Sequence, residues 1–320
     1  VKLTVAPFNS AIDSVSWDEL CAVAPMATFL HTRRFLAYHG DRFKDVSLLL
    51  KDEQDRLVGL FPAAVDLIDH SQVVSHPGLT YGGVVHSGKL RGAAMLNALQ
   101  VIVNYYAGQG FRALRYKVVP VIYHLPIAQD DLYALFRLDA RRYRCDLSCT
   151  IDLAHRGTTS QRRRRGLKKA IANSVEIVQG VDYAQHYWVL VEENLTQKHN
   201  ARPVHTSAEI QRLQALFPEN IQFVIARQKE DIIAGTVLFM TPNVVHAQYI
   251  ASTQTGRELS ALDRVFEHCI GNASESGARY FDFGISTEQD GQYLNETLYQ
   301  FKSEFGGHGT VHEFFEIELN

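Results

Sequence analysis

Sliding the chain against itself by 176 positions lays Val46–Gly59 onto Gln222–Gly235 without a gap. In each copy an apolar run ends in a basic residue, Lys51 or Arg227. A four-residue polar turn follows, Asp52–Asp55 or Gln228–Asp231, and a second apolar run crosses a glycine at the matched place, Gly59 or Gly235. Two apolar runs around a short polar turn read as a β-hairpin, and a hairpin written twice constrains the chain to two copies of one fold. A second match keeps the same order: Gly110–Lys117 falls on Gly277–Gly284 at an offset of 167, with a helix-patterned segment before both. A length of 320 residues suits this reading, because it supplies two domains of ordinary size, each able to bury its own core.

Net charge bounds the partners. With a formal charge of −3 the chain has no global basic excess, so any phosphate binding must be local. The longest apolar stretch, Ile232–Met240, is too short to span a bilayer. Val1–Asn9 is interrupted by Pro7 and polar residues and lacks the apolar core of a signal peptide, which makes the cytoplasm the expected location. Cys21, Cys145, Cys149 and Cys269 fit a reducing compartment. Cys145 and Cys149 fall in a strand-like run, where a spacing of four is roughly 13 Å, too far for a disulfide or a shared metal ion.

Periodicity gives the elements in order. In the first half, helix-patterned Trp17–Val23 and Thr32–His39 precede the hairpin. Strand Gln72–Ser75 leads through a Pro/Gly-rich stretch to helix Leu90–Tyr106, strand Phe111–Val118, helix Asp130–Arg137 and strand Arg144–Leu153. The second half repeats the course: helix Ala208–Leu216, strands Ile221–Arg227, Ile232–Met240 and Val244–Ala251, helix Ser260–Ser274, strand Tyr280–Phe283, helix Gly291–Ser303 and strand Thr310–Leu319. A capping box is expected at Ser260–Asp263. Each half therefore reads ααβββαβαβ, an α/β (α+β) class with mixed, mostly antiparallel sheets flanked by helices.

That order resembles the GNAT acyltransferase fold, and its tandem duplication resembles the Fem (FemABX) peptidoglycan aminoacyltransferases and related bacterial proteins. The segments that carry the likeness are Arg162–Ala170, Gln248–Ser252, Phe281–Ser286 and Phe301–Gly307, taken with their order and spacing. The resemblance implies a first GNAT-like domain of residues 1–153 plus 305–320, with the last strand returning to it, and a second of residues 154–304. It also implies transfer of an acyl or aminoacyl group from an activated carrier to an amine. A helical-hairpin arm, where Fem enzymes bear one, is a long charged heptad pair. Gly180–Phe217 offers at most two short helices.

Candidate chemistry follows from residue type and from the resemblance. Arg156–Lys169 holds seven basic residues and no acidic one, and on a helix these charges spread around most of the circumference. The plain reading is a solvated face. The functional reading is a docking surface for a phosphorylated substrate or carrier, because arginine binds phosphate oxygens bidentately; Arg164, Arg165 and Lys168 are its candidates. The resemblance places the transfer site at Phe301 and Lys302, followed by the Gly306–Gly307 turn, and gives the lysine a catalytic part. A cation there stabilises the oxyanion formed when an amine attacks an ester or thioester. The alternative is a lysine that reaches out of a helix while Phe301 packs. Asp282 is a candidate to orient Lys302 or bind an amine, or is an acid facing solvent between two strand phenylalanines.

Tyr249, Ser252 and Arg257 lie at the strand-to-helix junction that receives a phosphate or acyl carrier in a GNAT fold. Yet the Gln/Arg-x-x-Gly-x-Gly/Ala signature for acetyl-CoA is missing from Thr253–Glu258. For Tyr249 a packed strand residue is an equal alternative. Arg33, Arg34, His76 and Tyr81 occupy first-domain segments that help hold the acceptor in the family; for each one a surface residue or a satisfied turn residue is the alternative. The fourteen histidines show no metal-binding spacing, and neither a serine nucleophile elbow nor a Walker loop occurs.

The expectation is a direct N-acyltransferase without an acyl-enzyme or metal. Its acceptor is an amine on a sugar-nucleotide, amino-sugar or cell-envelope precursor, and the family links this chemistry to envelope polysaccharide assembly. Acyl-CoA, acyl carrier protein and aminoacyl-tRNA are the open donors. The alternatives are a non-catalytic binding protein for a phosphorylated glycan precursor, or an RNA-binding protein that uses the Arg162–Lys169 cluster.

Overall fold

The computed structural model describes residues 2–199 and 203–319. Residues 1, 200–202 and 320, which the expectations for 1–153, Gly180–Phe217 and Phe305–Asn320 touch, lie outside the described residues. The chain divides into two compact units. The first comprises Val1–Asp146, Gln289–Gln292 and Val311–Asn320; the second comprises Leu147–Glu288 and Tyr293–Thr310.

In chain order the first half forms β1 (Thr4–Pro7), α1 (Ser14–Val23), α2 (Arg33–Leu36), β2 (Leu48–Lys51), β3 (Leu57–Phe61), β4 (Ala64–Val65), β5 (Gln72–Val74), β6 (Val85–His86), α3 (Ala93–Gly108), β7 (Ala113–Lys117), α4 (Asp130–Arg137) and β8 (Arg141–Asp152). The second half forms α5 (Gln161–Ala172), β9 (Glu176–Gln179), α6 (Ala184–His199), α7 (Ser207–Leu216), β10 (Ile221–Gln228), β11 (Asp231–Met240), β12 (Val244–Ser252), α8 (Gln254–Glu258), α9 (Ala261–Glu275), β13 (Tyr280–Ile285), β14 (Thr287–Glu288), β15 (Tyr293–Leu294), α10 (Glu296–Ser303) and β16 (His308–Glu318).

The repeated segments form the repeated hairpin. β2 pairs with β3 and β10 with β11, both antiparallel, and each pairing slips by a residue at the matched place, between Leu50 and Lys51 and between Ala226 and Arg227. Both faces of β2 are buried, which explains a continuous Leu run in place of an alternation. Leu48 and Leu50 pack under the α3 face of Met95, Leu99, Ile102 and Tyr106, while Leu49 packs with Trp17 and Leu20 of α1. In the second unit Val265, Phe266, Cys269 and Ile270 of α9 pack against Val224, Ala234, Leu238 and Phe281.

The edge strands β1 and β9 are not legible as strands in the sequence, being four residues each with no buried side chain. Two expectations are corrected. Ser260 stands at φ +57° and makes no side-chain cap, so the capping box does not form; the turn is capped earlier, where the Thr253 hydroxyl accepts from Gly256 N. Residues 291–295 are not helical, since β14 and β15 pair there and α10 starts only at Glu296, capped by Asn295.

The two copies differ where it matters. β11 and β12 are continuous strands, but their first-unit counterparts are broken into β3 with β4, and β5 with β6. Between β5 and β6 the chain folds back beside β7. Ser75 N donates to Arg115 O at 2.9 Å and Gly82 N to Lys117 O at 3.0 Å, while the Lys117 ammonium reaches the carbonyls of His76 and Leu79. A methyl group at Gly82 would meet the Ser75 carbonyl oxygen at 1.7 Å, so this close return of the backbone requires glycine.

α5 is fixed to the second unit by one of its own cations. Arg163 is 8% exposed and bridges Asp263 of α9 at 3.2 Å and Glu304 at 2.9 Å. Burial pushes the Asp263 carboxyl up to about 6 against the pull of Arg163.

These contacts predict two stability effects. Trp17 and Trp188 report on the first and second unit in turn, with the other tryptophan replaced by phenylalanine. Gly82→Ala should lower the urea midpoint read by Trp17, at a cost of about 1–3 kcal/mol for overpacking. Arg163→Ala strands two acids and should cost about 3 kcal/mol or more at Trp188, whereas exposed Arg164→Ala should stay within about 0.5 kcal/mol.

Candidate active site

β12 and β13 run parallel for only three residues each, Val244–His246 beside Tyr280–Asp282. Beyond that point they part. β12 stays with β11 as far as Ser252, whereas β13 stays with β8 and bulges between Asp282 and Ile285. A wedge therefore opens beyond the last parallel pair, His246 and Asp282, inside the second unit.

Asp282 has no exposed surface, because Phe281 and Phe283 fill one face of β13 and the other face is covered as well. Its Oδ1 accepts from Ser148 Oγ at 2.5 Å and Thr150 Oγ1 at 2.8 Å, both on β8. Its Oδ2 lies 2.7 Å from His246 Nδ1. An ionised carboxylate only accepts, so Nδ1 carries the proton, and a neutral His246 then has Nε2 as a bare acceptor. The ring is 12% exposed.

α10 brings Lys302 to the same strand end. Nζ donates to Gly284 O at 2.9 Å and Ile285 O at 2.6 Å. Burial lowers its pKa to about 8, opposed by the negative charge of Asp282. Gly284 has φ +76°, and a methyl group there would lie 3.3 Å from His246 Cε1, so glycine both permits the turn and keeps the ring edge open. Phe301 packs edge-on to Phe305 and Phe266, with the Arg163 guanidinium over its ring at 4.8 Å.

Of the other residues singled out from the sequence, Arg164, Arg165 and Lys168 are exposed on α5. α5 starts next to the C-terminal end of α10, where Ser160 N donates to Glu304 O at 2.8 Å. The junction after β12 is satisfied by its own groups. Tyr249 is buried with its hydroxyl 2.5 Å from His205 Nδ1, Ser252 Oγ donates to Thr253 O, and Arg257 donates to Ser252 O at 2.7 Å. In the first unit Arg33 is clamped by Asp45 at 2.5 Å and stacked on Phe8 and Trp17, while Arg34 is exposed. His76 is buried against His39 and Phe43, and the Tyr81 hydroxyl donates to Thr28.

His246, Ser148 and Thr150 escaped the sequence reading. The one available signal was an acid flanked by strand phenylalanines in Phe281–Phe283, which needs partners if both faces are covered. The first unit lacks the pair: its register places Val74 beside Arg115 where the second has His246 beside Asp282.

Comparison with known proteins bears on the fold. Residues 154–302 match the acetyltransferase (GNAT) domain family. No curated protein sequence matches the chain. Among solved structures, FemX superposes with a TM-score of 0.68 at 10% identity, over 98% of each chain. The C-terminal domain of a putative lysylphosphatidylglycerol synthetase from Agrobacterium fabrum gives 0.62 at 12% identity, over 97% of this chain and 92% of that one. A tandem GNAT protein from the clavulanic acid biosynthesis pathway gives 0.51 at 13% identity, over 99% of each. Residues 154–302 thus carry a match to the GNAT acetyltransferase domain, and the chain as a whole shares the fold of FemX and of a tandem GNAT protein.

Proposed function

We propose that the chain transfers an acyl or aminoacyl group from an activated carrier to an amine of a sugar-nucleotide, amino-sugar or cell-envelope precursor, with the carbonyl lying in the β12/β13 wedge. The observation that carries this reading is Lys302, a buried ammonium at the wedge whose two described acceptors are main-chain carbonyls. When an amine attacks the carbonyl, a neutral oxygen acquires a full negative charge. A cation beside it stabilises the transition state more than the ground state. The buried surroundings strengthen that attraction relative to water.

The donor is an acyl-CoA, an acyl carrier protein or an aminoacyl ester such as aminoacyl-tRNA. The neighbour named as a putative lysylphosphatidylglycerol synthetase supports including the aminoacyl ester. The internally satisfied junction around Thr253 supports a phosphate site elsewhere, on the exposed α5 cations Arg164, Arg165 and Lys168. These start beside the end of the helix that carries Lys302.

The test is a screen of two donors, acetyl-CoA and an alanyl oxygen ester, against two acceptors, glucosamine and a UDP-amino sugar. Mass spectrometry should detect amide product from at least one pair; no product from any pair contradicts the reading. Lys302→Ala should lower kcat by roughly 10²–10³, the usual loss for one oxyanion donor. Because the lysine carries its charge only when protonated and its pKa is about 8, the Lys302-dependent part of the rate should hold below that pH and fall as pH rises through it. A rate limb absent from Lys302→Ala checks the assignment. Replacing Arg164, Arg165 and Lys168 together by alanine should weaken binding of the phosphorylated substrate at least about tenfold by calorimetry, since one charged hydrogen bond is worth roughly 1.5–3 kcal/mol.

A further inference from the structure

From the geometry at the wedge we infer that His246 is the group that takes the proton from the attacking amine, with Asp282 as its positioning residue. The inference rests on the acyl-transfer reading and adds the component that reading lacks. Lys302 answers the charge that develops on oxygen but offers no acceptor for the proton that the nitrogen must lose.

Three features of the second unit converge on His246. Its Nδ1 is committed to a carboxylate that has no exposed surface, which fixes the ring and the tautomer together. That carboxylate is itself held by two hydroxyls on β8, so it cannot turn away without breaking both bonds. The remaining ring edge faces Gly284, where the absence of a side chain leaves the space that a Cβ would take, 3.9 Å from Nε2. An imidazole with Nδ1–H anchored and Nε2 accessible has the form required of a general base.

The step balances without any further reagent. The amine nitrogen bonds to the carbonyl carbon, and its proton passes to His246 Nε2 while Lys302 holds the oxygen. The carbon–sulfur or carbon–oxygen bond to the carrier then breaks, and the same proton passes from Nε2 to the departing atom. Nothing is oxidised or reduced, and His246 returns to its starting form. The duplication supplies an internal contrast, because Val74 stands at the corresponding register position of the first unit and offers no such group.

The experiment has two arms on the full-length protein. Long-range proton–nitrogen correlation spectra of the ¹⁵N-histidine-labelled chain are recorded, with the His246 signals identified by their loss in His246→Gln. The expected pattern for the neutral ring is a protonated Nδ1 and a bare Nε2, lost in Asp282→Asn; a protonated Nε2 with a bare Nδ1 overturns the inference. In the second arm, kcat and KM of His246→Gln are measured with whichever of the four donor and acceptor pairs turns over. A fall in kcat of about 100-fold or more with KM within about threefold is expected of a lost general base. A variant within threefold of wild-type kcat overturns the inference while leaving acyl transfer standing. Absence of product from the wild-type chain with every pair removes both.

Discussion

A carboxylate with no exposed surface is costly unless every oxygen finds a donor, and the way Asp282 meets that requirement organises the second unit. Its donors come from β8 and β12, the two strands that flank it. The parallel register of His246 with Asp282 is thereby tied to the antiparallel register of Asp282 with Thr150. The strands are pinned together at one point and free to part beyond it, so the wedge has a defined apex. Lys302 feels the same buried charge, which opposes the loss of its proton.

The duplication shows what happens when this requirement is lifted. At the corresponding position of the first unit Arg115 replaces the acid and pairs with Glu316 at 3.0 Å on β16. No buried carboxylate calls for a histidine on the neighbouring strand, and Val74 suffices. The space beside β7 is taken by residues 75–84, with Gly82 and Ser75 bonded to the backbone of Lys117 and Arg115. The two copies of the fold have thus followed different courses: one keeps an open wedge with ionisable groups at its apex, and the other is filled by its own chain.

The fold was legible because its signals are local or repeated. The Leu48–Leu50 run, the α3 face and the 14-residue match between Val46–Gly59 and Gln222–Gly235 each sit within a short window. Lys302, Phe301 and Asp282 were reached through a likeness of motif and order. His246 was not, because its partner lies 36 residues away and only the parallel register of β12 and β13 joins them. Exposure was misjudged for the same reason. Asp282 reads as a possible solvent-facing acid from the alternation Phe281–Phe283, but strands covered on both faces do not obey that alternation. Charge runs mislead in a related way, since Arg163 is a structural cation within a basic run whose neighbours Arg164 and Arg165 are exposed.

The central claim is that the reacting carbonyl lies at the second unit's wedge. The most direct measurement is a crystal structure of the full chain soaked with a non-transferable ketone analogue of the donor, S-(2-oxopropyl)-coenzyme A. The account predicts the ketone oxygen within hydrogen-bond reach of Lys302 Nζ, on the Gly284 side of His246. A ketone bound instead beside Val74 and Arg115, or anywhere out of reach of Lys302, would contradict it.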